Sequence, residues 1–300
     1  MNVETHFVER RCPVAGEIRL HVAACGPADA PALIFIHGFP EFWWAWREQL
    51  TYFSTSFRSF RCYALDMRGF NLSSQPTDVA AYKANVLIED LRAVIDFAAG
   101  TNGGKVRAVI AHDWGGAIAW SLAAQHPNCM EKFVVLNSPH SIAFAHALAH
   151  DPDQIAASQY MNWLRAAGAE NALAENNFER LVKMASLTTD EEKRRYRECW
   201  SRGLTGGCNY YRAAPLHPDT KEAPGKSAVV ASALRPEQFR VTVPTQLIWG
   251  TGDIALRPVL LDGIESHVPH IRIDRVNGAS HWLARENAST VNALIETFIS

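Results

Sequence analysis

The chain has 300 residues and a formal net charge of −2; 48% of its residues are hydrophobic and 20% are charged. This ordinary globular composition excludes a disordered, collagenous or disulfide-dense protein. The near-neutral charge gives no reason to expect nucleic acid or an anionic membrane as a partner. Six scattered cysteines without a CxxC pair, and no signal-peptide or membrane-spanning pattern, predict a soluble cytoplasmic protein.

Short apolar runs predict the strands of a mostly parallel sheet that is covered by helices on both faces. These runs lie at residues 32–36, 61–66, 106–111, 132–137, 245–250 and 271–276. Helical periodicity between and after them predicts helices at residues 86–99, 117–125 and roughly 285–299. The predicted fold class is therefore α/β.

The segment 140–236 interrupts this alternation. It contains no convincing strand, is rich in Ala, Glu and Arg, and shows helical periodicity. A charge run at 190–195, with acidic residues before basic ones, predicts the start of a solvated helix. We therefore predict a helical cap at 140–236, inserted into a core that is formed by residues 1–139 and 237–300.

The third predicted strand is followed directly by the sequence Ala-His-Asp-Trp-Gly-Gly, with Asp113 in its centre. Small residues two positions before and two positions after Asp113 suit a sharp strand-to-helix turn that exposes the central side chain. A carboxylate at the positive end of a helix stays ionised and can act as a nucleophile towards carbon. The alternative is an aspartate that simply caps a helix.

A second motif, His-Gly-Phe-Pro at residues 37–40, follows the first predicted strand. Gly38 permits a tight backbone turn, and Pro40 restricts the residue before it. The backbone N–H groups of Phe39 and Trp114 can therefore face one point and hold a developing oxyanion. The alternative is a Gly-Pro turn without a catalytic role.

Two more polar residues, Asp253 and His281, each come just after one of the last two predicted strands. Open α/β sheets bind ligands at this carboxyl edge. The chain order is nucleophile, acid, base, and Asp253 would orient and charge-stabilise His281. Asn137, the last residue of the run at 132–137, competes poorly for the acid role because it is not a carboxylate.

Together these motifs resemble those of α/β-hydrolase fold enzymes with an aspartate nucleophile, and the resemblance covers the whole chain. It implies an eight-stranded, mostly parallel sheet with a helical cap inserted after the sixth strand. It also implies that Asp113 attacks an electrophilic carbon and forms an ester. His281, held by Asp253, would then activate the water that hydrolyses the ester. No cofactor and no metal ion are expected.

A cap segment at 207–213, Gly-Cys-Asn-Tyr-Tyr-Arg-Ala, resembles the N-(W/Y)-Y-R segment of soluble epoxide hydrolases. Tyr211 matches the ring-opening tyrosine of that family. Tyr160, eight residues before Gly168, resembles the second ring-opening tyrosine by its spacing. Two phenols directed at one oxygen can hold an epoxide and protonate it as it opens. The predicted function is therefore epoxide hydrolysis to a vicinal diol.

Aromatic residues around these motifs predict an apolar substrate pocket, and hence an apolar or aromatic epoxide. We expect His37, Pro40, Trp43 and Trp163 to line this pocket. The expected partner is a small-molecule substrate, with neither nucleic acid nor membrane bound. The chain carries no signature that decides between a monomer and a homodimer.

Two alternatives use the same residues differently. A haloalkane or haloacid dehalogenase would share the Asp-His-Asp triad, with the Trp114 indole as one halide donor. Phe39 cannot supply the second donor, but Trp163 or Trp200 in the cap could. A haloacetate dehalogenase fits less well, because no cation follows the nucleophile closely. The other alternative is a non-catalytic family member that binds a small molecule or a partner.

Overall fold

The computed structural model describes residues 2–55, 59–100 and 104–300. Its centre is an eight-stranded sheet in the spatial order β1-β2-β4-β3-β5-β6-β7-β8. The strands are β1 (Glu4–Cys12), β2 (Gly16–Cys25), β3 (Ala32–Ile36), β4 (Arg61–Leu65), β5 (Val106–His112), β6 (Met130–Leu136), β7 (Thr245–Gly250) and β8 (Ile271–Val276). From β4 to β8 the neighbouring strands pair in parallel, whereas β2 pairs antiparallel with both β1 and β4.

Helices cover both faces of this sheet. The core helices are α1 (Arg47–Thr55), α2 (Ala84–Ala99), α3 (Asp113–Gln125), α11 (Leu283–Glu286) and α12 (Ala288–Ile299). The side chains of alternate residues of β3 are buried on opposite faces of the sheet. Ile34 and Ile36 belong to one apolar cluster, and Leu33 and Phe35 belong to the other. A strand that is buried on both faces must be apolar throughout, which explains the continuous apolar runs in the sequence.

The remaining helices lie between β6 and β7. They are α4 (Ser141–His150), α5 (Pro152–Ala157), α6 (Tyr160–Arg165), α7 (Ala169–Met184), α8 (Asp190–Trp200), α9 (Thr205–Ala213) and α10 (Lys226–Ala233). The charge run begins α8, where Thr189 and Glu192 form a capping box. Residues 140–236 are called the cap. The division into core and cap stays a prediction.

The predicted α/β class, with an eight-stranded, mostly parallel sheet, is confirmed by this sheet and its helices. Each of the six predicted strands is found within two residues of its predicted bounds. Two details differ from the predictions. Helix α3 begins at Asp113 rather than at residue 117, and the last predicted helix is divided into α11 and α12. Among the described residues, every helix is too short or too polar to cross a bilayer.

Candidate active site

Asp113 lies at a sharp turn where β5 ends and α3 begins. Its φ is 50°, a left-handed conformation that is uncommon outside glycine. The surrounding backbone leaves no room for larger neighbours. A Cβ atom on Gly115 would lie 2.4 Å from the carbonyl oxygen of His37, and one on Gly38 would lie 2.1 Å from Oδ1 of Asp113. The glycines therefore allow the Asp113 carboxylate to project from the edge of the sheet.

The two carboxylate oxygens of Asp113 have different surroundings. The backbone N–H of Phe39 donates a hydrogen bond to Oδ1 at 2.7 Å. Oδ2 lies 3.6 Å from Nε2 of His281. Trp114 is the next residue of α3, and its N–H belongs to the first helical turn, where backbone donors have no partner within the helix. A charge that develops on Oδ1 therefore meets a backbone donor that is already in place.

The imidazole of His281 lies between two carboxylates. Its Nδ1 is 2.6 Å from Oδ2 of Asp253, and this oxygen also accepts a hydrogen bond from Asn137 Nδ2 at 2.7 Å. The other oxygen of Asp253 accepts hydrogen bonds from the backbone N–H groups of Ala255 and Leu256 at 2.8 and 2.9 Å. Asp253 is thus buried with all its near neighbours acting as donors. It fixes the His281 ring with the proton on Nδ1 and with Nε2 towards Asp113.

Neighbouring charges and burial shift the pKa values of His281 and Asp253. Burial acts to lower the pKa of His281, but the negative charges of Asp253 and Asp113 outweigh it and raise the pKa to about 10. Burial acts to raise the pKa of Asp253, but the nearby imidazolium and the backbone amides lower it below its usual value. The two neighbouring carboxylates therefore favour the protonated form of His281.

Tyr160 and Tyr211 come from α6 and α9 and line the same cavity as Asp113, with ring centroids 6.2 Å apart. The ring of Tyr211 packs edge-on against Phe39 at 5.4 Å and against Trp114 at 5.0 Å. Burial raises the pKa of both phenols, and the charge of Asp113 raises them further. Both hydroxyls therefore keep their protons and can act as hydrogen-bond donors. The neighbouring Tyr210 instead donates its hydroxyl to the carbonyl oxygen of Arg68 at 2.9 Å.

A cavity of about 250 Å³ lies between the cap and the sheet edge. Asp113, Trp114, Tyr160 and Tyr211 contribute to its wall. Most of the remaining wall is apolar and includes Phe144, Met161, Leu216, Leu234, Phe239 and Leu256. The cavity can therefore enclose a small apolar molecule against one carboxylate and two phenols.

Two predicted pocket residues, His37 and Pro40, do not line this cavity, which corrects the prediction. The imidazole of His37 is fully buried; it bonds to the carbonyl oxygen of Gly38 at 2.8 Å and accepts the N–H of Met67 at 3.0 Å. The carbonyl oxygen of Pro40 accepts the indole N–H of Trp200 at 2.7 Å. Both residues shape the turn that presents Phe39.

Trp43 and Trp163 do not line the cavity either. The backbone N–H of Trp43 donates to Oδ1 of Asp66 at 2.9 Å, and its ring packs against the apolar core. The ring of Trp163 lies beneath the guanidinium of Arg180, with 4.8 Å between the Arg180 carbon and the ring centroid. Both residues lie close in sequence to residues of the site, but their rings pack against the apolar core and Arg180 rather than against the cavity.

Sequence reasoning missed a buried polar network behind His281. Nδ1 of His112 lies 3.2 Å from Oε2 of Glu41, and its Nε2 lies 2.9 Å from the carbonyl oxygen of His281. Tyr196 of the cap donates its hydroxyl to Glu41 at 3.0 Å. Burial acts to raise the pKa of Glu41, but His112 and other partners lower it to about 2. The one sequence feature that could have indicated this network is Glu41, an acidic residue at the start of the aromatic run that follows Pro40.

Comparison with known proteins gives consistent matches. The α/β hydrolase fold family matches residues 31–288. The AB hydrolase superfamily protein YfhM of Bacillus subtilis is 33% identical over 292 residues, covering 94% of each chain. Epoxide hydrolase 2 of Caenorhabditis elegans is 30% identical, covering 94% of this chain and 78% of that protein. The crystal structure of Bacillus megaterium epoxide hydrolase with an inhibitor has a TM-score of 0.83 and 31% identity, covering 94% and 97% of the two chains.

Proposed function

Since this chain belongs to the α/β-hydrolase fold family and is an epoxide hydrolase by its relatives, we propose that it converts an apolar or aromatic epoxide to a vicinal diol through an ester on Asp113. One observation carries this proposal. A carboxylate held by the Phe39 amide and two protonated phenols face the same apolar cavity. An epoxide needs both groups, because its ring oxygen leaves as an alkoxide that must be protonated.

In the first step, Oδ2 of Asp113 attacks an epoxide carbon. This choice of oxygen follows from the geometry, because Oδ1 is held by the Phe39 amide at 2.7 Å. A carbon–oxygen ester bond forms, and the ring carbon–oxygen bond breaks. The ring oxygen takes the electron pair of that bond and receives a proton from Tyr160 or Tyr211. The product of this step is a hydroxyalkyl ester on Asp113.

In the second step, water attacks the carbonyl carbon of that ester. His281 accepts the proton of the water, and the negative charge develops on Oδ1, where the amides of Phe39 and Trp114 stabilise it. The tetrahedral intermediate then collapses. The bond to the alkyl oxygen breaks, and the diol leaves with the proton from His281. The second proton of the water passes from the Asp113 carboxyl group to the tyrosinate left by ring opening, which restores both the carboxylate and the phenol. The ester bond is thus cleaved at the carboxyl carbon.

The shifted pKa of His281 fits this order of events. A pKa of about 10 in the resting enzyme depends partly on the charge of Asp113. Ester formation removes that charge and so lowers the pKa of His281. The imidazole therefore becomes a competent base only after the ester has formed. The rate of ester hydrolysis should rise with pH through a pKa below 10, which single-turnover measurements can detect.

The hydrogen-bond donors of the cavity suit a halide leaving group poorly. Trp114 contributes one indole to its wall. The second indole that a dehalogenase needs is absent from the two predicted positions, since Trp200 donates to Pro40 and Trp163 packs under Arg180. Two phenols occupy the donor positions instead, and these can protonate an alkoxide.

The test uses His281→Ala, which should form the ester but fail to hydrolyse it. The variant is incubated with a mixture of epoxides and haloalkanes, and the intact protein is weighed by mass spectrometry. We expect an adduct with the mass of a whole epoxide. An alkyl adduct that lacks its halogen would identify a dehalogenase. If no adduct forms although the wild type consumes an epoxide of the panel, the reaction does not pass through a stable ester on Asp113. Wild-type turnover that disappears in Asp113→Asn would exclude a non-catalytic member of the family.

A further inference from the structure

A buried glutamine of the cap, Gln154 in α5, is bonded to the loop that carries the triad acid. Its side chain is completely buried. Its oxygen accepts the backbone N–H of Arg257 at 2.9 Å. Its amide group donates to the carbonyl oxygen of Ala255 at 2.8 Å and to the hydroxyl of Ser158 at 2.8 Å. One side chain thus holds the backbone of the 253–257 turn at two points.

This turn also supplies the donors that fix Asp253. The N–H groups of Ala255 and Leu256 both donate to its Oδ1. The outer side of the turn has little packing to hold it, because Ile254 is 86% exposed. Gln154 therefore fixes the same residues that orient the acid. Without it, the partly buried carbonyl oxygen of Ala255 and the N–H of Arg257 would lose this partner, and the turn would be free to rearrange.

We propose that Gln154 is a positioning residue that acts on ester hydrolysis by holding the 253–257 turn, and through it Asp253. The proposal rests on the function proposed above. Asp253 is needed most when His281 takes a proton from water, because the resulting imidazolium is stabilised by the Asp253 carboxylate. Ring opening takes its proton from the phenols, so it depends less on Asp253. Loss of Gln154 should therefore slow the second step selectively.

The test compares Gln154→Met with Gln159→Met. Methionine keeps the unbranched shape but removes all three hydrogen bonds. Gln159 is exposed on the same part of the cap, and its side chain bonds only within the cap, to Ile155 and Asn162. Rapid-quench mass spectrometry measures ester formation and ester loss separately. In Gln154→Met, we expect ester hydrolysis to slow on the order of 10-fold and ester formation to change by less than about 2-fold. The control should match the wild type in both steps.

A second readout needs no substrate. The short hydrogen bond between His281 Nδ1 and Asp253 should give a far-downfield proton resonance, identified by its loss in His281→Ala. We expect this resonance to shift or broaden in Gln154→Met and to stay unchanged in Gln159→Met. If the wild type forms no ester with any epoxide, the proposed function fails, but the resonance still decides whether Gln154 positions Asp253.

Two results would overturn the proposal. One is equal slowing of both chemical steps, which would indicate a general loss of structure. The other is an unchanged resonance with an unchanged rate of ester hydrolysis. If Gln154→Met does not fold, Gln154→Asn replaces it. Asparagine keeps both polar groups but is too short to reach Ala255 and Arg257 together, so the same difference between the two steps is expected.

Discussion

The two walls of the cavity are held by different kinds of contact. On the core wall, the Asp113 carboxylate is fixed by a hydrogen bond from the Phe39 amide, and behind this wall the buried Asp253 carboxylate is fixed by the amides of Ala255 and Leu256. On the cap wall, the rings of Tyr160 and Tyr211 are held mainly by packing, against each other and against Phe39 and Trp114. The core wall is therefore polar and charged, whereas the cap wall is aromatic and neutral.

This difference separates the two chemical steps of the proposed reaction. On the charged side, Asp113 is the proposed nucleophile and His281 the proposed base, so this side should determine whether an ester forms and whether water can attack it. The neutral wall contains Tyr160 and Tyr211, the proposed proton donors, whose pKa values are raised because they are buried and close to the charge of Asp113. Substitutions on the two walls should therefore slow different chemical steps, and the rate effects should be largest for the nucleophile itself.

The largest effect is expected for Asp113→Asn. A neutral amide is a far weaker nucleophile than a carboxylate, so ester formation should fall by at least about 10⁴-fold. Asparagine is preferred to alanine because it tolerates the φ of 50° at this position. Intact-protein mass measured after incubation with epoxide should show no adduct. Unchanged thermal unfolding would serve as the control, and an adduct of full yield would exclude Asp113 as the nucleophile.

The next largest effect is expected for Asp253→Asn, which removes the negative charge that holds His281. The amide cannot stabilise the imidazolium and favours the wrong tautomer of His281, so ester hydrolysis should slow by roughly 10²–10⁴-fold. Ester formation should be much less affected, and the adduct should accumulate during turnover. Quenched samples weighed at successive times would measure this. A variant with normal turnover and no accumulated ester would contradict the role of Asp253.

The cap wall is tested by the double variant Tyr160→Phe with Tyr211→Phe. Ring opening should slow by roughly 10²–10⁴-fold because both proton donors are lost, while the apolar contacts remain. Hydrolysis of any ester that does form should stay close to the wild-type rate. The matched comparison is Tyr210→Phe, which should lose far less activity, because its hydroxyl is donated to the carbonyl oxygen of Arg68. Normal ring opening in the double variant would refute the assignment of the donors.

The sequence predicted much more of the core wall than of the cap wall, for physical reasons. Core residues follow buried strands, and parallel strands bring their carboxyl ends to one edge. Asp113, Asp253 and His281 could therefore be placed together from their positions in the chain. The N-terminal strands β1 and β2 were not located individually, because their many charged residues obscure the apolar pattern.

The apolar lining of the cavity could not be predicted in the same way. Leu216, Leu234 and Phe239 reach it from loops and helix ends, where no sequence period shows which way a side chain points. Trp43 and Trp163 illustrate the opposite error, because closeness in sequence to a motif does not fix side-chain direction. Gln154 is a further example, since its partners at 255–257 are about a hundred residues away.

The smallest effect concerns stability rather than rate, and it tests whether charge holds the core wall. The pKa of His281 is raised from about 6.5 to about 10 by Asp253 and Asp113, against the opposing effect of burial. Because the folded-state pKa is raised, the stabilisation is fully present below about pH 6.5 and is lost as the pH rises towards 10. The difference in unfolding free energy between the wild type and His281→Gln should therefore shrink over this range, by no more than roughly a few kcal/mol.

Urea titrations at several pH values between about 6 and 10 would measure this difference. The cap wall provides the contrast, because the pKa values of Tyr160 and Tyr211 lie above the usual value for a phenol. The corresponding difference for the double phenylalanine variant should stay constant over most of this range, since neither phenol loses its proton there. If the His281→Gln difference were equally constant, the triad would be held by hydrogen bonds and packing alone. The two walls would then differ in their chemistry but not in how they are stabilised.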